Sequence, residues 1–165
     1  MSTILGDPAG LRPRLQPWLV DRPRLERRFD EPCDRQVTLV CAPPGAGKTT
    51  LVASWADRNP ASRVAWLSVG RDHQRAGAFL DAVTSVIAAA SGSPVDQVGP
   101  TSEPAQRDRL DRVLREDAPP LTLVIDDVHE LASRRAVDGL NRLVDTAPSW
   151  LHIVLISRAD PPVRI

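Results

Sequence analysis

Lysine is almost missing from this chain. Of its 21 basic residues only Lys48 is not arginine, so a generic positive charge is written as Arg and an ammonium is kept at one place. The formal net charge is zero, without the bulk basic charge that marks a nucleic-acid binder. No apolar run approaches the roughly 20 residues that a membrane-spanning helix needs. The opening Met-Ser-Thr-Ile-Leu-Gly-Asp-Pro has neither the basic nor the apolar region of a signal peptide, and a cytoplasmic protein is the expectation. Cys33 and Cys41 are not spaced as a CxxC metal or redox pair. Cys41 lies in an apolar run and is expected to be a buried free thiol. His73, His129 and His152 have no metal-ligand spacing, and no internal repeat or low-complexity tract is visible.

What is there is a globular composition, 42% hydrophobic and 25% charged over 165 residues, enough for one domain with a core. Sixteen prolines fall mostly between periodic segments, as punctuation. Residues 1–35 read as an irregular arm followed by a short helix from Pro23, with Leu25 and Phe29 on one face. Residues 36–165 read as the core. Strands are expected at 36–41, 63–69, 121–126 and 151–157, and helices at 48–57, 74–90, 105–117 and 134–147. Residues 91–104 read as a loop, and Ser133 as an N-cap. The helix at 74–90 repeats Phe79, Leu80, Val83, Val86, Ile87 and Ala90 at helical steps. The alternating Arg and Asp of 105–117 read as a solvated outer face. The strands are near-continuous apolar runs, as in a parallel sheet covered on both faces. Alternation with helices then gives an α/β fold with right-handed crossovers. The chain stops soon after the fourth strand, so a core truncated at that point is expected.

Lys48 stands in Ala42-Pro43-Pro44-Gly45-Ala46-Gly47-Lys48-Thr49-Thr50, which fits a phosphate-binding loop. A strand delivers a glycine-bearing turn onto a helix N-terminus, where free N–H groups and the helix dipole favour an anion. Gly45 and Gly47 permit a concave nest of amides. A compact ammonium enters such a cradle where a planar guanidinium fits poorly, and reaches the β- and γ-phosphates. The Thr49 hydroxyl is expected to bind Mg²⁺. The strict pattern begins with Gly where this chain has Ala42. Leu123-Val124-Ile125-Asp126-Asp127 fits a Walker B element, with Asp126 holding Mg²⁺ and Asp127 orienting or deprotonating the attacking water. Ser157-Arg158 ends the fourth strand, at the edge of an open parallel sheet where ligands bind, and Arg158 is placed to sense the γ-phosphate. His129 reads as a surface or supporting residue near the acids, His152 as structural and Trp66 as core. Trp18 either packs beside an adenine or anchors the arm.

Five pieces in order carry a wider match: Arg22-Pro23-Arg24-Leu25, Leu39 through Leu51, Ala65-Trp66-Leu67-Ser68, Val124 through His129, and Ile156 through Pro162. From about residue 12 to 162 the chain resembles the ATP-binding domain of the MalT-like, large LuxR-type transcriptional regulators. These are P-loop NTPases of the signal-transduction ATPases with numerous domains (STAND). The resemblance implies a three-layer αβα P-loop core that holds ATP or ADP with Mg²⁺ as a switch. It implies weak ATP hydrolysis in the full-length protein, catalysed through Asp127, Lys48 and Arg158, and self-association or contact with other parent domains. Promoter DNA would be bound only through a C-terminal domain outside these residues, and no membrane is involved. By the same resemblance Val20 and Arg22 lie over the adenine and ribose, and Pro43, Pro44, Gly45, Ala46, Gly47, Lys48, Thr49 and Thr50 hold the nucleotide. Gly70 departs from the family, which often has an acid there. Two rival readings stand at this point: a P-loop kinase acting on a small molecule, and a nucleotide-free interaction module.

Overall fold

The computed structural model describes residues 12–13, 15, 20–30, 36–74, 77–92, 102–115, 118–161 and 163. Trp18 and Cys33 lie outside them. In chain order the elements are α1 (Pro23–Asp30), β1 (Val37–Cys41), α2 (Lys48–Arg58), β2 (Arg63–Ser68), α3 (Ala78–Ser91), α4 (Glu103–Arg115), β3 (Leu121–Asp126), α5 (Arg134–Thr146) and β4 (Leu151–Ser157). Short 3-10 turns follow β2 at Arg71–Gln74 and β3 at Val128–Glu130.

The four strands form one parallel sheet in the order β1-β4-β3-β2. The chain crosses the whole sheet from β1 to β2 and then steps back through β3 to β4. With right-handed crossovers, reversing direction moves the connecting helices to the opposite face. The packing follows that rule. One face carries α2, where Val52, Ala53, Trp55 and Ala56 meet Trp66, Val124, Val154 and Ile156. The other carries α3, α4 and α5 against Leu67, Leu123, Ile125, Ile153 and Leu155. The result is the expected three-layer α/β core. In β3 and β4 both alternating sets of side chains are buried, which explains their unbroken apolar runs.

Local details differ from the sequence reading. Leu25 is 44% exposed, and Glu26 is the buried residue of α1. The carboxylate goes inward because α2 supplies partners: Ser54 Oγ donates to Glu26 Oε1 at 3.1 Å and Arg58 Nη1 to Oε2 at 2.8 Å. Phe29 does pack inward, its ring 5.3 Å from that of Trp55. Cys41 is exposed, not buried, because it ends an edge strand paired on one side with β4. The helix expected from 74 begins at Ala78, after the 3-10 turn, and α4 runs 103–115. Ser133 does precede α5, but its side chain makes no capping hydrogen bond. Its N–H instead donates to Gln74 Oε1 at 2.9 Å.

Thr38 Oγ1 and His152 Nε2 lie 3.0 Å apart, a polar tie between the edge strand β1 and β4. Burial holds the His152 pKa below its ordinary 6.5. The unfolded chain therefore takes up this proton first as pH falls. Stability linked to His152 is complete above pH 6.5 and is lost as pH falls through the lower folded value. Urea unfolding at pH 7.5 and at pH 5.5 should show a smaller acid-induced loss in His152→Gln than in the parent chain. An equal loss in both would remove His152 from the account.

Candidate functional site

All four strands are parallel, so all four C-terminal ends open on one edge of the sheet. There the chain leaves β1 through residues 42–47 and enters α2. Gly45 and Gly47 have φ of +79° and +77°, the left-handed region that glycine adopts without penalty. Ala46 N–H donates to the Pro43 carbonyl at 3.3 Å, closing the turn. The first intrahelical bond of α2 runs from Leu51 N–H to the Gly47 carbonyl. The amides of Lys48, Thr49 and Thr50 precede it and have no intrahelical acceptor. Lys48 Nζ folds back over the turn and donates to the Ala42 carbonyl at 2.7 Å and the Pro43 carbonyl at 3.1 Å. The sole ammonium is thus fixed at the mouth of an amide-lined turn.

Asp126 ends β3 and is 3% exposed. Its carboxylate accepts a hydrogen bond from Asp127 N–H at 2.8 Å and lies beside the Thr49 side chain. Burial pushes its pKa above the ordinary carboxylate value of 3.8, and the neighbouring Asp127 charge adds to the rise. The Thr49 side chain, the Asp127 hydrogen bond and the Lys48 charge pull the other way without cancelling it. Thr49 and Asp126 come together although β4 lies between β3 and β1, the strand that leads to the Thr49 helix.

Asp127 has φ +57° and ψ +38°, the one non-glycine residue in the left-handed region among those described. Such a backbone costs on the order of 1–3 kcal/mol. The turn aims the carboxylate along the strand ends, with Oδ1 3.8 Å from His129 Nδ1 and 3.9 Å from Arg158 Nη2. His129 is therefore at the site. Both its ring nitrogens are shut off from water with no hydrogen-bond partner, and Glu130 lies 3.5 Å from Nε2. Ser157, opposite Cys41 in register, is fully buried, and its hydroxyl donates to the Ala159 carbonyl. Arg158 is half-exposed directly after β4, the strand that lies between the Lys48 loop and the two acids.

Arg22 reaches the same edge from the other side. Its Nη1 donates to the Ala46 carbonyl at 2.9 Å, and a Cβ added at Gly47 would come 3.6 Å from the guanidinium. Val20 is 78% exposed. Sequence reasoning passed over Gln74, whose amide locks the segment after the acids. Its Nε2 donates to the Glu130 carbonyl, and its Oε1 accepts from Ala132 N–H at 3.0 Å and from Ser133 N–H. A glutamine in a short turn gives no sequence signal for that bridge.

A family model described as an AAA domain matches residues 33–160. The chain belongs to that family. Its sequence is MalT-like over most of its length. It is 30% identical over 159 residues to the HTH-type transcriptional regulator MalT of Serratia proteamaculans and 28% identical to that of Yersinia enterocolitica. Each match covers 92% of this chain and 17% of the relative, so this AAA domain spans about a sixth of the length of the MalT proteins it matches. Among solved structures, that of C. elegans PCH-2 aligns with 86% of the chain and 36% of its own, at 18% identity and a TM-score of 0.45.

Because the folded Asp126 carboxyl holds its proton more tightly than the unfolded one, the contribution of this group to stability is present below pH 3.8 and is lost as pH rises through the folded value. At neutral pH the nucleotide-free domain lacks that contribution. Asp126→Asn removes the charge, keeps the shape, and should raise the melting midpoint at pH 7 by a few degrees. A lowered midpoint in nucleotide-free buffer would contradict the electrostatic picture.

Proposed function

We propose that this AAA domain is the Mg-ATP-binding switch of a longer, cytoplasmic, MalT-like transcriptional regulator of the STAND type. The observation that supports it most is the convergence of the Lys48 loop with the Thr49–Asp126 pair at one sheet edge. The nucleotide-binding core starts at residue 36, after α1. Pro43, Pro44, Gly45, Ala46 and Gly47 shape the turn, and the amide N–H groups through Thr50 donate to the β- and γ-phosphate oxygens. Lys48 exchanges its loop carbonyls for phosphate oxygens, which bear more charge and bind it more strongly. Val20 and Arg22 approach the nucleotide from the N-terminal side.

The donor set at the crevice fits magnesium. A hydroxyl and a buried carboxylate are hard oxygen ligands, and the desolvated Asp126 charge gains from a cation beside it. Mg²⁺ keeps several waters and arrives with the phosphates, so Thr49 and Asp126 suffice as its protein contacts. Bound there, magnesium would neutralise charge on the β- and γ-oxygens. Asp127 then stands as the acceptor for a water proton, with Arg158 beside it to meet the γ-phosphate. An activity built this way is slow ATP hydrolysis. Self-association and contact with other domains belong to the longer protein, and so does promoter DNA, through segments beyond the sixth that is matched here. No helix among the described residues is long and apolar enough to cross a membrane.

Lys48→Ala should abolish binding of a fluorescent ATP analogue. Mg-ATP at a hundred times its dissociation constant should stabilise the parent chain by about 2.7 kcal/mol. A melting midpoint unmoved by saturating Mg-ATP, or a Lys48→Ala variant of unchanged affinity, would remove the proposal.

A further inference from the structure

Arg22 does not reach the phosphate loop as a loose side chain. Its carbonyl accepts from Leu25 N–H at 2.9 Å and Glu26 N–H at 3.1 Å, so its backbone opens the first turn of α1. The residues on either side of it are held by a single guanidinium. Arg58, in the last turn of α2, pairs with Asp21, one position before Arg22, and with Glu26, four positions after. The Glu26 carboxylate is buried and also accepts from Ser54. The Asp21 pair is exposed and contributes little. The Glu26 pair is the strong one, because a buried carboxylate stripped of its partner is costly. Lys48 and Arg58 are opposite ends of one helix. The helix that presents the phosphate loop therefore also carries the clamp that brings a second cation back onto it.

We propose that Arg58 and Glu26 are positioning residues for the nucleotide site: their ion pair anchors the first turn of α1 to α2 and so fixes the guanidinium of Arg22 over Ala46 and Gly47, where it is a second cation for the polyphosphate chain beside Lys48. This rests on the nucleotide-binding reading above. A planar fork suits the place, since it lies across the outside of the turn and does not enter the amide cradle. The arrangement makes the N-terminal segment part of the binding site, so an event that pulls α1 away from α2 lowers nucleotide affinity without touching the loop.

The test is a double-mutant cycle on the 165-residue chain, titrated with a fluorescent ATP analogue. Arg22→Ala should weaken binding about tenfold, the scale of one charge-assisted hydrogen bond. Glu26→Gln and Arg58→Ala should each weaken it in the same direction, and neither should add to Arg22→Ala when combined with it. A merely structural role for the clamp would give additive losses, and additivity would overturn the proposal. Glu26→Gln keeps the shape and a hydrogen bond to Ser54, so it reports even where Arg58→Ala unfolds the chain. Hydrogen exchange of segment 43–48 without nucleotide separates this inference from the reading beneath it. Faster exchange in both Arg22→Ala and Glu26→Gln supports the clamp whether or not nucleotide binds, and unchanged exchange in both overturns it. Loss of all nucleotide binding by the parent chain would overturn the binding reading and the role of Arg22 as a phosphate cation with it.

Discussion

The approach of the Thr49 side chain to the buried Asp126 carboxylate is the contact around which the site is built. Two residues so far apart in sequence meet because the sheet is wholly parallel. Every strand ends on the same edge, and the Lys48 loop and the acids are delivered there by backbone direction alone. The insertion of β4 between β1 and β3 sets the spacing. It puts Arg158, which follows β4, between the Lys48 loop and the acids. The same contact is electrostatically uneasy. Burial raises the Asp126 pKa, and among the described residues no cation forms an ion pair with it, Lys48 acting only through its nearby charge. A carboxylate kept ionised there is stabilised by a cation more than an exposed one would be.

The use of arginine and lysine follows the same physics. Arg58 splits its fork between two carboxylates, and Arg142 bridges α5 to Asp111 of α4 at 2.6 Å. These are planar, multi-donor tasks for a guanidinium. Lys48 instead gives two N–H groups to adjacent carbonyls of a tight turn, which needs a small head on a long stem. Scarcity of lysine is therefore informative: where every structural cation is arginine, the position that keeps an ammonium is one that arginine cannot serve.

The layers of the fold were legible in the sequence because they depend on averaged signals. Unbroken apolar runs report burial on two faces, and the 3.6-residue repeat of Phe79, Leu80, Val83 and Ile87 reports one. The glycine-bearing turn before Lys48 and the paired acids stood out in the sequence because residues 42–50 and 123–127 carry fixed residue types at fixed spacing. What was not legible depends on a partner distant in the chain. Nothing in Pro23–Asp30 says that Glu26 turns inward and Leu25 outward; that choice is made by Ser54 and Arg58. Cys41 reads as core from its neighbours and is exposed by the position of its strand at the sheet edge. The bridge made by Gln74 and the approach of Arg22 to Ala46 are likewise products of the assembled fold.

Polar discomfort is distributed unevenly in this molecule. At the N-terminal end of the sheet, Gln36 and His152 find partners in Ala147 and Thr38. At the other end, Asp127 is held in a left-handed backbone, its charge lies near 4 Å from Arg158 without a close hydrogen bond, and both nitrogens of His129 are buried without one. A fold selected for stability alone would relax these groups, for instance with a glycine at 127 and an apolar residue at 129. Their retention beside Lys48 and Asp126 concentrates unsatisfied donors and acceptors where a charged ligand can complete them. The ligand in turn would gain from groups whose orientation was fixed when the chain folded, since their ordering is not repeated at binding.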